Sequence, residues 1–181
     1  MNNYCQPLNL NLFPLITSKE FFIRIKKSGH YAIDVEHETN PVLKELLKSL
    51  GLAVRRAEAF YRGPKCNPFI HSDTSPGDYV KINWVYGGKD SVMQWFTINP
   101  GVRKEVTKNT LGSTVCLYDK SEVTLAYETH IINPSLVQVG APHNIINPIE
   151  DRICISLILK NINNKKVTMA EAQQALISYI S

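Results

Sequence analysis

Short segments rich in β-branched and aromatic residues follow one another along most of the chain. They cover residues 21–25, 52–61, 79–86, 91–98, 113–117, 124–127, 136–139 and 152–159. Turn signals such as Gly87-Gly88 and Asn99-Pro100-Gly101 separate them, so each segment is predicted to be a strand. About eight short strands without alternating helices are typical of a jelly roll or a related barrel, not of βαβ units.

Two segments carry helix signals instead. Asn40 and Pro41 are typical of a helix start, apolar residues recur at positions 43, 46, 47 and 50, and Gly51 ends the pattern. Near the C-terminus, Thr168 and Glu171 form a capping box ahead of apolar residues at positions 172, 175, 176 and 179. Such stripes are more typical of packing against a sheet than of cofactor binding. The sequence therefore predicts a mainly β fold with flanking helices.

The length of 181 residues suits one domain with a real core. We expect a single domain over residues 1–181. It would comprise N-terminal helical and strand support over about residues 1–54, a core barrel over about 55–160 and a C-terminal helix over about 168–180.

Charge and cysteine content restrict the partners and the cellular compartment that we expect for the protein. Lys and Arg number 20 against 16 Asp and Glu, and the net charge of +4 is spread along the chain, so nucleic acid is not indicated. The four cysteines form no C-x-x-C pair and fit reduced thiols in the cytoplasm. No apolar run approaches the ~18 residues of a membrane span, and a basic leader is missing. We expect a soluble cytoplasmic protein with no membrane partner.

The stretch PFIHSDT, residues 68–74, places His71 and Asp73 two positions apart. On an extended strand these side chains point to the same side and converge. They can bind a metal or form a surface hydrogen-bonding pair, and the second is the commoner use of two such residues alone. A metal site therefore requires a third ligand.

The third candidate is His143, which follows a predicted strand and a Gly/Pro turn and can project from the rim of the sheet. Nine residues later Arg152 opens an apolar strand, on which Arg152, Cys154 and Ser156 share one face. Two imidazoles and a carboxylate can hold Fe(II) and leave coordination positions open. A buried arginine needs an anionic partner, and its planar guanidinium suits a carboxylate.

The order His71-x-Asp73, His143 and then Arg152 resembles the Fe(II)/2-oxoglutarate-dependent dioxygenase superfamily, over residues 55–159. The resemblance implies a double-stranded β-helix, which is a jelly roll or cupin-like barrel. It implies Fe(II) bound by His71, Asp73 and His143, 2-oxoglutarate bound by Arg152, and O2 as the oxidant. The implied enzyme hydroxylates or oxidatively demethylates its substrate and releases succinate and CO2, with no catalytic residue beyond the metal centre.

Two looser resemblances add residues. The stretch AFYRGP, residues 59–64, resembles the Y-x-x-G segment ahead of H-x-D in prolyl-hydroxylase-like members, which implies that Tyr61 contacts 2-oxoglutarate. The stretches KINW and MQWF resemble segments of small phage and marine-bacterial oxygenases, which implies that Asn83 donates to 2-oxoglutarate and that a phage or bacterium encodes the chain. Many relatives carry Ser or Thr two residues after the arginine, where this chain has Cys154, so the second contact lies with Cys154 or Ser156.

Three other functions remain open. A cupin-like isomerase or binding protein would share the barrel, although that family usually clusters several His and a Glu. A non-catalytic jelly roll would need neither Arg152 nor 2-oxoglutarate. A zinc hydrolase would use the same three ligands, but it would also need a general acid or base beside the metal.

The substrate is not specified by any motif, and a peptide, a nucleobase and a small metabolite are all compatible with the sequence. Substrate choice in the family resides in loops such as residues 97–112 and in the N-terminal third. Basic segments at Arg55-Arg56 and at residues 62–65 are more typical of a solvated surface, although a loop just before the predicted metal strand could also hold an acidic substrate. The net charge of +4 favours an anionic partner in the same way.

Overall fold

The structure is a computed structural model that describes residues 2–12, 24–25, 29–64, 69–73, 79–108, 114–131, 134–146 and 149–181. Its strands are β1 (Cys5–Pro7), β2 (His30–Ile33), β3 (Leu52–Arg62), β4 (Ile70–Asp73), β5 (Val80–Gly87), β6 (Val92–Ile98), β7 (Thr107–Lys108), β8 (Thr114–Tyr118), β9 (Val123–His130), β10 (Ser135–Gln138), β11 (His143–Ile146) and β12 (Arg152–Asn161). Its α-helices are α1 (Val35–Glu38), α2 (Pro41–Ser49) and α3 (Met169–Ala175), with 3-10 turns at Lys120–Glu122 and Ile177–Tyr179.

The strands form two six-stranded antiparallel sheets, so the protein is mainly β with flanking helices, as predicted. Sheet I has the order β1-β10-β5-β12-β3-β2, and sheet II has the order β7-β8-β4-β11-β6-β9. Side chains from the inner faces of both sheets line a shared cavity. The predicted metal ligands lie on sheet II, whereas Arg152 and Asn83 lie on sheet I.

The outer face of sheet I packs against the helices and forms the largest apolar core. Alternate residues of β12, including Ile153, Ile155 and Leu157, bury their side chains there with Leu43 and Leu47 of α2. The predicted caps of α2 and α3 are both present: the Asn40 side chain accepts from Val42 N at 2.9 Å, and Thr168 and Glu171 form the capping box. None of the helices in the described residues has the length and apolar character that a membrane span requires.

Several predicted elements need correction. Arg24 and Ile25, the end of the strand predicted over residues 21–25, are helical, and residues 21–23 lie outside the described residues. The sequence did not predict β1, β2, β7 or β11, which are short. β1 and β2 form the two edges of sheet I, so the N-terminal third supplies strands of the same sheet as β3. Their pairing with distant segments has no local sequence pattern, which is why they were missed.

Candidate metal centre

The three predicted metal ligands lie together on two neighbouring strands of sheet II. His71 of β4 and His143 of β11 are direct cross-strand partners, and their ring centroids are 4.5 Å apart. Asp73 points to the same side as His71, two residues further along β4. One ligand atom from each of the three residues lies within 4.8 Å of the others. His143 follows the Gly/Pro turn, as predicted, and is the first residue of β11.

The segment that leads to His143 is tied to its neighbours by hydrogen bonds. Val139 O accepts from Asp73 N at 2.8 Å, and Pro142 O accepts from Phe96 N at 2.8 Å. The buried indole of Trp95 donates to Gln138 O at 2.6 Å. These contacts hold the start of β11 against both β4 and β6, so the position of His143 follows from the backbone of sheet II.

Both imidazoles have one nitrogen near a backbone carbonyl. Nδ1 of His143 lies 2.9 Å from Ala141 O, and Nδ1 of His71 lies 3.4 Å from Phe69 O. When Nδ1 carries the hydrogen and donates it to the carbonyl, Nε2 keeps a lone pair for a metal. Nε2 of His71 faces Asp73, and it lies 3.7 Å from Oδ1 of that residue.

The local charges favour the protonation states that bind a cation. Burial, together with the neighbouring His143, lowers the pKa of His71 to about 4. Burial also lowers the pKa of His143. For Asp73, burial raises the pKa, but Lys81 and the two imidazoles outweigh burial and hold it well below its usual range. Two neutral imidazoles and a carboxylate are the forms that coordinate metals.

A buried ion-pair network, which the sequence did not predict, holds Asp73. The ammonium of Lys81 lies 2.6 Å from Oδ2 of Asp73 and 3.4 Å from Oε2 of Glu58. Nε of Arg56 lies 2.9 Å from Oε1 of the same glutamate. With Oδ2 paired to Lys81, Oδ1 is the oxygen nearer His71. One feature of the sequence could have indicated that Lys81 faces the cavity: it lies two residues before Asn83, and such residues share a strand face.

A cavity of about 790 Å³ lies between the two sheets, next to the three predicted metal ligands. His71, Asp73 and His143 line it from sheet II; Lys81, Asn83, Arg152 and Ser156 line it from sheet I. From the predicted substrate loop over residues 97–112, Thr107 and Lys108 reach the cavity, and residues 109–112 lie outside the described residues. The volume is within the range of about 300–1,000 Å³ found for small-molecule sites.

Arg152 is buried in the cavity wall. Its side chain is 2% exposed, and its Nε has no hydrogen-bond partner. No carboxylate of the described residues forms an ion pair with it. Burial therefore lowers the pKa of Arg152, and Cys154, its hydrogen-bond partner, offsets this only in part. A buried cation in this situation would be stabilised by an anionic partner.

Of the other predicted cosubstrate residues, the structure brings Asn83 to the cavity and Tyr61 away from it. Ser156 Oγ donates to Oδ1 of Asn83, its cross-strand partner, and both side chains face the cavity. Tyr61 packs against the core on the outer face of sheet I, where its hydroxyl donates to Oδ1 of Asp151 at 2.8 Å. The assignment of Tyr61 was wrong because adjacent strand residues face opposite sides, and Phe60 is the one that lines the cavity.

Comparison with known proteins gives little further guidance. No family model matches the chain, and no curated protein matches its sequence. Among solved structures, apo HygX from Streptomyces hygroscopicus has a TM-score of 0.40 and 10% identity, over 83% of this chain and 80% of that one. Pumpkin seed globulin has a TM-score of 0.34 and 12% identity, over 76% of this chain but 30% of the globulin. At these TM-scores neither likeness carries an argument.

Proposed function

We propose that the protein is an Fe(II)- and 2-oxoglutarate-dependent oxygenase. The observation that carries this proposal is the buried guanidinium of Arg152, which has no ion pair with a carboxylate of the described residues and lines the same cavity as His71, Asp73 and His143. A planar cation of this kind binds a carboxylate through two parallel hydrogen bonds. A dicarboxylic oxo acid can therefore satisfy the arginine at one end and the metal at the other.

The strand pairing supports a jelly roll of the double-stranded β-helix type. When a long hairpin of eight strands is rolled up, the first strand pairs with the eighth, the second with the seventh, the third with the sixth and the fourth with the fifth. Here β3 pairs with β12, β4 with β11, β5 with β10 and β6 with β9. In this order the metal ligands fall on the second and seventh strands and Arg152 begins the eighth.

The side chains present fit the implied ligands. His71, Asp73 and His143 would hold Fe(II), because two imidazoles and one carboxylate leave coordination positions open for other ligands. Lys81 already holds Oδ2 of Asp73, which fixes the carboxylate as outer partners of metal ligands do. Because Oδ1 of Asn83 accepts from Ser156, its amide nitrogen is left to donate to an oxo acid.

Fe(II), with 2-oxoglutarate and O2 as cosubstrates, would supply the oxidising chemistry that hydroxylates or demethylates a substrate; one oxygen atom of O2 would enter the substrate and the other succinate, with release of CO2. The residues of the chain have positioning roles. Arg152 binds the far carboxylate, Asn83 orients the oxo acid, and Lys81 keeps Asp73 ionised and in place. Phe60 and Met93 add apolar surface to the cavity wall.

The test is a visible metal-to-ligand charge-transfer band on addition of Fe(II) and then 2-oxoglutarate to the anaerobic protein. We expect a band in the wild type, its loss in His143→Ala, and a higher requirement for 2-oxoglutarate in Arg152→Met. His37→Ala is the matched histidine control, because His37 is exposed and does not line the cavity.

Other results would favour the alternatives. A folded protein that binds the metal without producing a band would point to a cupin-like protein or a zinc hydrolase. A folded protein without metal affinity would be a non-catalytic jelly roll. A band of equal strength in His143→Ala would show that the metal lies elsewhere.

A further inference from the structure

Away from His71, Asp73 and His143, most of the charged side chains that line the cavity are positive. Besides Lys81 and Arg152, the basic lining residues are Arg55, Arg56, Arg62, Lys108 and Lys166, whereas Glu58 and Asp73 are the acidic ones among the described residues. Both acidic groups are already in ion pairs with Lys81 or Arg56. The cavity therefore carries an excess of positive charge that an anionic ligand would neutralise.

An irregularity in β3 places two consecutive arginines at the cavity. Arg56 pairs with Ile158 of β12 and Val54 pairs with Leu159, so Arg55 is an extra residue without a partner across the ladder. Neighbouring strand residues normally face opposite sides, but the bulge turns both Arg55 and Arg56 to the cavity. Bulges next to binding sites often re-aim a side chain in this way.

Lys166 approaches Arg55 from another part of the chain. Its backbone forms an isolated bridge with Lys160 at the end of β12, and its ammonium lies 4.3 Å from the centroid of the Tyr79 ring. Burial, and after it the charge of nearby Arg55, lowers the pKa of Lys166. Two cations that repel each other at the edge of a cavity would be stabilised by a shared anion.

This cationic pair lies at the other end of the cavity from Arg152. The bridge at Lys160 lies eight residues along β12 from Arg152, which is roughly 26 Å of extended strand. His71, Asp73 and His143 line the same cavity as the residues of both ends. A five-carbon diacid, at most about 6 Å long, cannot reach both ends.

We infer that Arg55 and Lys166 bind the anionic group, a phosphate or a carboxylate, of a small-molecule substrate whose remainder reaches the metal cluster. That this molecule is the one oxidised rests on the proposed function. The cavity of about 790 Å³ has the size of a small-molecule site, which favours a metabolite over a folded macromolecule.

The experiment titrates metal-free protein with inorganic phosphate, and separately with malonate as the carboxylate probe, by calorimetry. We expect at least tenfold weaker binding of the preferred anion in Arg55→Gln and in Lys166→Gln. Lys165→Gln is the matched control, since it removes the same charge from the adjacent lysine, which is exposed like Lys166 but does not line the cavity. A preference for phosphate or for malonate identifies the chemistry of the group.

Two results would overturn the inference: no binding of either anion by the wild type, or equal losses in Lys165→Gln and Lys166→Gln. A loss confined to Arg152→Gln would likewise overturn it, because the anion would then occupy the cosubstrate position. The titration needs neither Fe(II) nor 2-oxoglutarate. A missing charge-transfer band would thus reject the proposed function and leave anion binding at Arg55 and Lys166 to be judged separately.

Discussion

The ammonium of Lys81 lies 2.6 Å from Oδ2 of Asp73, and this buried ion pair joins the two sheets beside His71 and His143. Burial by itself lowers the pKa of Lys81, but the carboxylates of Asp73 and Glu58 outweigh burial and raise it. The pair therefore stays charged at neutral pH. It both neutralises Asp73 inside the protein and fixes the carboxylate that the proposed metal would bind.

Replacing Lys81 with methionine is expected to lower the free energy of unfolding by about 3–5 kcal/mol, because two buried carboxylates lose their shared cation. Urea denaturation of the metal-free protein measures the loss, and adding Glu58→Gln should restore part of it. Lys48→Met removes a lysine from the exposed pair with Glu45, and its effect should stay below about 1 kcal/mol. Equal effects of the two lysine changes would show that the buried network contributes no stability.

Arg152→Met is expected to stabilise the ligand-free protein, by about 1–3 kcal/mol, because it removes a buried cation that has no acidic partner within the part of the chain that the structure describes. The same change should abolish the rise in melting temperature that 2-oxoglutarate gives the Fe(II)-loaded wild type under anaerobic conditions. Thermal denaturation measures both effects. A less stable Arg152→Met protein would mean that packing of the side chain outweighs the cost of its charge.

Gly87→Ala tests the end of β5, which pairs with Arg152. Gly87 has a φ of +67°, and a Cβ there would lie 2.2 Å from Asp151 O, so we expect a loss of at least about 3 kcal/mol. Gly101 has a φ of +85° with no atom within 4 Å of the same position, so Gly101→Ala should cost only about 1–2 kcal/mol. Comparable losses in a denaturant titration would mean that β5 and the Asp151 backbone separate easily.

The pH dependence of stability should depend in part on His30, whose ring stacks on Phe60 at a centroid distance of 4.5 Å. Burial lowers its pKa below the usual 6.5, while Glu58 raises it, Arg56 and Lys81 lower it, and Asp73 raises it. The unfolded chain then binds a proton more tightly than the folded one. The free energy of unfolding should fall as the pH drops below 6.5 towards the lowered pKa.

In His30→Phe this fall should be shallower, because one of the histidines that resist protonation is gone while the ring stack is kept. Urea denaturation at pH 7.5 and pH 5.5 measures the difference. His71 and His143 contribute equally to both proteins and cancel in the comparison. An identical slope in His30→Phe would show that His30 titrates alike in the folded and unfolded states.

Local sequence patterns predicted the parts of the fold that local interactions determine. The capping residues Asn40 and Thr168 marked α2 and α3, because a cap acts on backbone amides within the same turn. Alternation along β12 put Arg152, Cys154 and Ser156 on one face, because the side-chain period of a strand is a property of its own backbone. The spacing of His71 and Asp73 predicted their convergence for the same reason.

Tertiary structure decided which groups from distant segments meet. The pairing of β11 with β4 sets His143 opposite His71, and the register of β5 brings Lys81 to Asp73 and Glu58. A shift of one residue separates Phe60, which lines the cavity, from Tyr61, which does not, and the bulge at Arg55 locally changes that alternation. Register and bulges depend on how whole sheets pack, because a strand gains stability only from its partners, so no single segment encodes them.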